Sequence, residues 1–276
     1  MQRTIFSHAP LRPLRTWWTV FQVFLQDNLT YRSQALIWMM TDTVPAVIMP
    51  LVWLAAYNGR PTIQGFAPPD LVVYYLAVLT LSNFMLCHIM WDIATEVREG
   101  RLSIYLTRPF SYAAFQYAGN LSWRMMRMVL FVPVFLLWLL VFRRYLEWRG
   151  YDLGPFFWMA VLGGHALSFA ISYALGLLAL FFTEVRNIFL FYYMPFGFFS
   201  GQMVPLSFLP EWAHALARWL PFRYTLAFPV ELLMHQLSPG EVTAGFTVLG
   251  GWLVVATAAG LLLWRVGLRH YEGVGM

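Results

Sequence analysis

The sequence contains no lysine, a single cysteine and few charged residues, and each shortage excludes a kind of site. All 18 basic residues among its 276 residues are arginines. A P-loop needs a lysine to contact the nucleotide phosphates, and Schiff-base chemistry needs a lysine amine, so neither belongs to this chain. The sole cysteine, Cys87, excludes an intrachain disulfide and a cysteine metal cluster. We expect Cys87 to be a small packing residue inside a membrane span.

Charged residues make up only 11% of the chain, whereas 60% of its residues are hydrophobic. Soluble domains carry about 25% charged residues, so this chain has too few of them to form the surface of a soluble globular domain. Six apolar stretches are long enough for a hydrocarbon layer that needs about 20 helical residues. They lie near Leu36–Tyr57, Leu71–Trp91, Met125–Phe142, Phe156–Phe182, Ile188–Leu209 and Val242–Trp264. The sequence therefore predicts an all-α polytopic membrane protein, with six transmembrane helices in one domain over residues 1–276. The first apolar run is too long for a cleavable signal peptide.

The distribution of arginines predicts the orientation of the chain. With both termini in the cytoplasm, twelve arginines fall inside and six outside, which agrees with the excess of basic residues in cytoplasmic loops. The inside set includes Arg124 and Arg127, at the start of the third predicted span. The outside set includes the cluster Arg143–Arg149, which goes against the rule. The net charge of +5 indicates membrane orientation and lipid headgroup contact rather than nucleic-acid binding.

Residues 11–33 precede the first span and have the pattern of an amphipathic helix. Apolar side chains recur at spacings of three and four, at Leu14, Trp17, Trp18, Phe21, Phe24, Leu25 and Leu29. Arginines, glutamines and a threonine fill the opposite face. Such a helix lies on a membrane surface with its tryptophans at headgroup level, so we predict an interfacial helix on the inner leaflet. The alternative is a helix packed on a cytoplasmic partner.

Few polar residues fall inside the predicted spans. Asp42 lies in the first span, where an ionised aspartate costs a few kcal/mol and should face the bundle or a wet cavity. A proton relay needs several ionisable groups at depth, so we expect a buried structural contact instead. In the fourth span, Ser168, Ser172 and Gly176 recur every four residues. Small residues on one face let helices approach closely, and we expect this face to pack inside one subunit.

The fifth predicted span is interrupted by residues that break helices. Gly201, Pro205 and Pro210 follow an apolar run, and Pro221 closes a short helical pattern after them. Proline removes an amide hydrogen and clashes with the preceding turn. Backbone freed at membrane depth has to be buried in protein or line a cavity. Residues 199–222 therefore predict either a re-entrant gate segment or a kinked span with an interfacial loop.

Residues 92–110 form the loop between the second and third spans, and they mix apolar with charged side chains. Gly100 permits a tight turn and Pro109 stops the second half. This pattern suits a short helix half in contact with protein, although an ordinary charged loop has similar composition. The stretch EVREGRLSIYLTRP resembles the coupling-helix region of permease subunits in type V ABC exporters, the ABC-2 class. The matching positions are Glu96, Val97, Arg98, Gly100, Leu102, Leu106, Arg108 and Pro109.

Two further segments carry the same resemblance. The family pattern F-S-G-x3-P-x3-L-P-x-W…L-P-F is matched by Phe199, Ser200, Gly201, Pro205, Leu209, Pro210, Trp212, Leu220, Pro221 and Phe222. The end of the chain, at residues 267–275, is similar to the family's G-L-x-x-Y-x-G tail. The surface helix and the number of spans also agree, so the resemblance covers essentially the whole chain.

The resemblance implies a permease that works with separate nucleotide-binding ATPase subunits and a second permease chain, identical or paralogous. ATP and Mg²⁺ are then bound by the ATPase, this chain holds no cofactor or metal, and it is not itself an enzyme. The location implied is the bacterial cytoplasmic (inner) membrane. The resemblance implies that the following residues contact the ATPase: Glu96, Arg98, Glu99, Gly100, Arg101, Leu102, Tyr105 and Arg108. Those implied to form the outer gate are Phe199, Gly201, Pro205, Leu209, Pro210, Trp212, Pro221 and Phe222.

The composition also bears on the substrate. Aromatic residues make up 18% of the chain, and Tyr192, Tyr193 and Phe196 crowd the broken span. Together with Asp42 they are our candidate substrate pathway, and aromatic walls suit an amphipathic or hydrophobic substrate. Two alternatives are an ion-coupled secondary carrier working through Asp42 and a membrane-embedded lipid-modifying enzyme. The enzyme needs clusters of carboxylates or histidines, and the acidic residues here are scattered.

Overall fold

The structure is a computed structural model that describes residues 12–30, 32–146 and 150–271. Arg149 and the last residues of the predicted tail motif lie outside these ranges. The side chain of Asp42 lies outside the described part as well, so its place in the candidate pathway stays a prediction.

The described residues form α-helices joined by turns, with no β-strand among them. The helices are α1 (Arg12–Thr30), α2 (Arg32–Tyr57), α3 (Pro68–Met85), α4 (Met90–Arg98), α5 (Leu102–Leu106), α6 (Tyr112–Phe142), α7 (Pro155–Leu177), α8 (Arg186–Phe199), α9 (Glu211–Ala217), α10 (Pro221–Thr225), α11 (Ala227–Leu233) and α12 (Pro239–Gly267). Short 3₁₀ turns follow at Arg143–Tyr145, Leu178–Leu180 and Leu206–Phe208. The predicted all-α polytopic membrane fold is confirmed.

Within the described ranges, five helical stretches are long and apolar enough to cross a membrane. They are Ala35–Tyr57, Pro68–Arg98, Tyr112–Tyr145, Pro155–Leu180 and Pro239–Gly267. The remaining predicted span, Ile188–Leu209, differs: α8 has 14 residues and ends at Phe199, as the breakers after it require. At about 1.5 Å per residue, α8 is about 21 Å long and does not by itself cross the hydrocarbon layer.

Proline and serine fix where three of the long helices begin. Pro68, Pro155 and Pro239 occupy the first positions of α3, α7 and α12, where the missing amide hydrogen is not needed. Ser238 caps α12, because its hydroxyl accepts from the amide of Glu241 at 3.4 Å while the Glu241 carboxylate accepts from the Ser238 amide at 3.0 Å. These starts lie within three residues of the predicted ones.

The third span begins much earlier than its hydropathy indicates. The prediction placed its start at Met125, whereas α6 begins at Tyr112 and is 31 residues long. Arg124 and Arg127 consequently lie inside the helix and not in a loop before it, and each is only 3% exposed. The helix continues through these arginines because their charged groups face the interior of the bundle.

The second span is broken between α3 and α4, at residues 86–89, and α7 packs against the break. The amides of Cys87 and Met90 donate to the hydroxyls of Ser168 and Ser172 at 2.8 and 3.1 Å. These two serines and Gly176 form the small-residue face of α7, and a Cβ at Gly176 would lie 2.8 Å from the Ile93 side chain. The prediction that this face packs inside one chain is therefore confirmed.

Helix α1 packs on the beginning of α6. The Asn28 side-chain amide donates to Ser122 Oγ at 3.1 Å, and the rings of Phe24 and Phe115 are 4.8 Å apart. Trp18, which the amphipathic pattern places on the same apolar face as Phe24, is 60% exposed, so only part of that face packs on α6. We call the end of the bundle that carries α1, α5 and the start of α6 the α5 end, and the opposite end the α9 end.

Candidate coupling surface and transport pathway

The loop between the second and third spans consists of two short helices joined by a tight turn. Helix α4 ends at Arg98, and Gly100 takes a positive φ of 71° between α4 and α5. A residue without a Cβ adopts this conformation readily, so the predicted turn at Gly100 agrees with the geometry. Helix α5 then leads through Pro109 to α6.

Two of the residues predicted to meet the ATPase are buried. Glu96 is 9% exposed and Leu102 is fully buried. One oxygen of the Glu96 carboxylate, Oε2, accepts hydrogen bonds from the Tyr112 hydroxyl at 2.5 Å and from Gln116 Nε2 at 2.8 Å. Glu96 thus ties α4 to α6, and Leu102 packs in the core beneath α5. Neither side chain is placed to contact a protein docked on this loop.

We define the coupling surface as five of the exposed residues of the loop: Arg98, Glu99, Arg101, Ile104 and Arg108. Arg101 Nε lies 2.8 Å from the Glu99 carboxylate, with both side chains about half exposed. Ile104 is 54% exposed between these charged groups. Single exposed apolar side chains are common on protein surfaces, so the coupling role predicted for this surface comes from the resemblance of the loop to the family pattern.

Tyr105, another predicted contact residue, joins the coupling surface to the bundle. Its ring lies 5.6 Å from that of Tyr112 and 4.9 Å from that of Phe115 on α6. Burial, and then the negative charge of Glu96, raises the pKa of the Tyr105 hydroxyl. The hydroxyls of Ser103 and Tyr271 are 3.1 Å apart, so the predicted tail motif contacts α5 as well.

A cavity of about 1660 Å³ extends inward from the α5 end and is lined by residues of five helices, α1, α2, α4, α6 and α8, and of the segments that flank them, among them the loop after α7. We call it the inner cavity. Arg98 and Arg101 of the coupling surface line its rim, while Arg124 and Arg127 line it deeper. Arg124 Nη1 donates to the backbone carbonyl of Asn83 at 2.9 Å, and Arg127 Nη2 donates to Asn83 Oδ1 at 2.8 Å.

The predicted pathway aromatics lie between the inner cavity and the α9 end. Tyr193 lines the inner cavity, and its ring lies 5.6 Å from that of Tyr192. Tyr192 and Phe196 each contact the ring of Phe222, at 5.6 and 6.2 Å. The structure therefore brings these three predicted residues together with one predicted gate residue.

The backbone broken after α8 is held by tyrosines of α3. Gly201 takes a positive φ of 77°, and its carbonyl accepts a hydrogen bond from Tyr74 at 2.6 Å. The carbonyl of Met203 accepts from Tyr75 at 2.8 Å, and Trp53 donates to the Tyr75 oxygen at 2.9 Å. These bonds satisfy carbonyls that a continuous helix would have paired internally.

The other predicted gate residues divide between the interior and the surface of the α9 end. Phe199 and Leu209 pack against the buried side chains of Leu206, Ala217 and Ala227. Pro205 precedes a 3₁₀ turn, Pro210 precedes α9, and Pro221 begins α10. Trp212 is 69% exposed and takes no part in that core.

A buried ion pair at the α9 end was not singled out from the sequence. Arg223 Nη2 lies 2.6 Å from Glu231 Oε2, and its Nε donates to the same oxygen at 3.0 Å. The pair lines an outer cavity of about 460 Å³. Burial, and then the positive charge of Arg218, lowers the pKa of the neighbouring His214. Arg223 and Glu231 are eight residues apart and lie on different helices, so no sequence motif predicts their pairing.

In the described part of the chain, no three histidine, cysteine or carboxylate side chains come together as metal ligands. The described residues thus present an exposed loop surface, a charged cavity and a broken span.

Comparison with known proteins identifies the family. Residues 43–275 match the sequence model of a family described as ABC-2 family transporter protein. A search of curated proteins found no match. The matched region includes the coupling surface, the broken span and most of the residues that line the inner cavity. Membership makes the chain a transport subunit rather than an enzyme, and it implies association with an ATPase subunit. The chain belongs to the ABC-2 transporter family, as a multi-pass permease component of an ABC transporter.

Proposed function

We propose that the chain is the membrane subunit of an ATP-driven exporter that moves an amphipathic or hydrophobic substrate across the bacterial inner membrane. The α5 end faces the cytoplasm, where ATPase subunits bind ATP and Mg²⁺ and dock on the coupling surface. A second permease chain, identical or paralogous, completes the transporter, with lipid around both. Both termini then lie in the cytoplasm, because α1 and the end of α12 are at the α5 end.

The observation that supports this proposal is the continuity between the coupling surface and the inner cavity. Arg98 is the last residue of the 31-residue stretch Pro68–Arg98, and the same stretch lines the inner cavity through His88, Trp91 and Asp92. A force applied at α5 is therefore transmitted to the cavity wall through α4. If the bundle has two conformations, and the ATPase binds one of them more tightly than the other, ATPase binding shifts the bundle toward that conformation.

The broken span supplies an element that such a change can open. Phe222 of the α9 end rests on Tyr192 and Phe196 of α8, and Tyr193 beside them lines the inner cavity. Movement of α8 relative to α10 separates these rings and connects the cavity to the α9 end. Aromatic contacts of this kind contribute about 0.5–1.5 kcal/mol each, which is small enough to be broken in each transport cycle.

The test is a pull-down of the tagged chain in mild detergent, with ATP hydrolysis assayed on the eluate. Two variants reverse charges on the coupling surface, Glu99→Arg and Arg98→Glu. Arg144→Glu is the matched control, because Arg144 is exposed on the 3₁₀ turn after α6 at the opposite end. We expect retention of the ATPase subunit to fall roughly three- to tenfold in the two surface variants only.

Unchanged retention and hydrolysis in both surface variants would show that the ATPase docks elsewhere. Elution of the wild-type chain without any ATPase subunit, under several mild detergents, would favour the ion-coupled carrier instead.

A further inference from the structure

The break in the second span places one polar side chain in the wall of the inner cavity. Residues 86–89 lie between α3 and α4 and belong to neither helix. Cys87 and Ile89 are buried, and the Cys87 amide is bonded to Ser168 of α7. His88, between them, is exposed and lines the inner cavity. Because the backbone is not helical here, His88 faces the cavity while its neighbours on both sides are buried.

The break and the histidine both lie at membrane depth. His88 is ten residues before the end of the 31-residue stretch Pro68–Arg98, which is long enough to cross the hydrocarbon layer. Histidines inside membrane spans are rare and mark substrate or ion pathways. Broken helices near the midplane form the substrate sites of secondary transporters. Two features that each indicate a ligand therefore occur at the same position.

The His88 side chain is not needed to hold the break together. The freed amides of Cys87 and Met90 are bonded by Ser168 and Ser172 of α7. The imidazole of His88 makes no hydrogen bond to another residue of the described ranges. A neutral imidazole carries one donor nitrogen and one acceptor nitrogen. A hydroxyl or amide group on a ligand can both donate and accept, so it matches this side chain.

Aromatic side chains surround His88 in the cavity wall. Its ring lies 6.1 Å from that of Tyr193, and the two planes are inclined by only 22°. Trp91 Nε1 donates to the Tyr193 oxygen at 3.4 Å, and we call His88, Trp91 and Tyr193 the aromatic wall. Trp38 and Trp123 line the same cavity. An aromatic pair gains more than its buried area provides, so this wall favours an aromatic ring over a saturated ring of the same size.

We propose that the aromatic wall binds a planar aromatic ring of the transported substrate, and that the His88 imidazole bonds a hydroxyl or amide group on that ring. The inference rests on the proposed function, since it takes the inner cavity as the route of the substrate. It narrows an amphipathic or hydrophobic substrate to an aromatic one with a neutral polar group. Tyr193 is one of the predicted pathway residues, and His88 and Trp91 extend that set.

The test measures binding to the full-length chain in lipid nanodiscs by equilibrium dialysis, with empty nanodiscs as the reference. The probes are 2-naphthol, naphthalene and decahydro-2-naphthol, which supply the ring with a hydroxyl, the ring alone and the hydroxyl on a saturated ring. We expect 2-naphthol to bind about two- to tenfold more tightly than either of the others, since one hydrogen bond and one aromatic contact each provide about that factor.

Four variants locate the binding. His88→Phe keeps a ring without its nitrogens, so the preference for 2-naphthol over naphthalene should disappear while naphthalene binds as before. His88→Gln restores a donor and an acceptor and should recover part of that preference. Tyr193→Leu should weaken the binding of 2-naphthol and naphthalene by a similar factor, about two- to tenfold, and leave decahydro-2-naphthol unchanged. Trp219→Leu, at an exposed tryptophan of the α9 end, is the matched control and should bind all three probes as wild type does.

Two kinds of result would overturn the site. Binding of none of the probes, or equal affinities for 2-naphthol and decahydro-2-naphthol, would refute the aromatic wall. Equal affinities for 2-naphthol and naphthalene, or an unchanged preference in His88→Phe, would refute the role of His88. If His88→Phe does not fold, His88→Leu takes its place, with the same expected loss of preference.

The dialysis needs no ATPase, so the pull-down on the same preparations separates the two proposals. An ATPase that co-purifies with a chain that does not distinguish the probes refutes the aromatic site alone. A chain that distinguishes the probes but retains no ATPase refutes the exporter assignment alone.

Discussion

The hydroxyl of Tyr74 donates a 2.6 Å hydrogen bond to the carbonyl of Gly201, a residue 127 positions later in the chain. Tyr74 lies about 9 Å along the second span from its start at Pro68, so the bond fixes the broken span at a definite depth. Tyr74 is 1% exposed, and water is therefore not available to replace it.

Tyr74→Phe should lower the free energy of unfolding by about 1–3 kcal/mol, because the Gly201 carbonyl is left buried without a donor. Denaturant titration of the purified chain in mixed micelles measures this change. Tyr145→Phe, on an exposed ring, is the control and should change little. Equal stability of Tyr74→Phe and wild type would mean that another donor reaches the carbonyl.

Gly201→Ala should be more damaging than its size indicates. The residue has a φ of 77°, and an added Cβ would lie 2.6 Å from the Tyr74 hydroxyl and 2.9 Å from the Ala227 Cβ. Backbone strain of this kind costs about 1–3 kcal/mol before any clash is counted. Gly250→Ala, with open space around it in α12, should be neutral or stabilise by up to about 1 kcal/mol. The unfolding temperatures of the two variants should thus move in opposite directions or differ by several degrees.

Glu96 and Glu99 lie three residues apart and should behave differently. Glu96→Ala leaves the buried donors of Tyr112 and Gln116 without their acceptor, and we expect a loss of about 3 kcal/mol in the free energy of unfolding. Glu99→Ala removes only an exposed ion pair with Arg101 and should cost less than about 1 kcal/mol. A chain in which both substitutions cost the same would contradict the structural role of Glu96.

The Arg223–Glu231 pair should respond to single and double replacement in opposite ways. Glu231→Leu leaves a buried guanidinium unpaired and should cost about 3–5 kcal/mol, whereas Arg223→Met with Glu231→Leu should recover most of that loss. A double-mutant cycle on the free energy of unfolding gives the coupling. If the loss in the double variant equals the sum of the losses in Arg223→Met alone and Glu231→Leu alone, the two groups do not act as a pair.

The sequence predicted the broken span because the signals there are local. Gly201, Pro205 and Pro210 each act on their own backbone, so their positions alone place the end of α8 near Phe199. The donors that satisfy the freed carbonyls were not predictable, since Tyr74 and Tyr75 come from a distant helix.

The start of the third span was misplaced because hydropathy treats an arginine as a boundary. Arg124 and Arg127 are accepted inside α6 because polar groups such as Asn83 face them, and that environment is assembled by other helices. The same limit affected the coupling loop, where sequence indicated a set of contact residues but not which side chains point inward. Glu96 and Glu99 are chemically alike, and only packing distinguishes them.

The break in the second span also has a consequence for the order in which the chain is assembled. The amides of Cys87 and Met90 find their acceptors on Ser168 and Ser172, which are 81 and 82 positions later and leave the ribosome well after the second span has been inserted. A nascent second span in lipid has no such acceptors, so we expect it to be a straight helix that pairs these amides internally. Cross-linking between cysteines placed on either side of residues 86–89, in nascent chains ended before and after α7, tests this order. The fourth span then does more than pack against its neighbour, because its arrival during synthesis bends a helix that was already in the membrane.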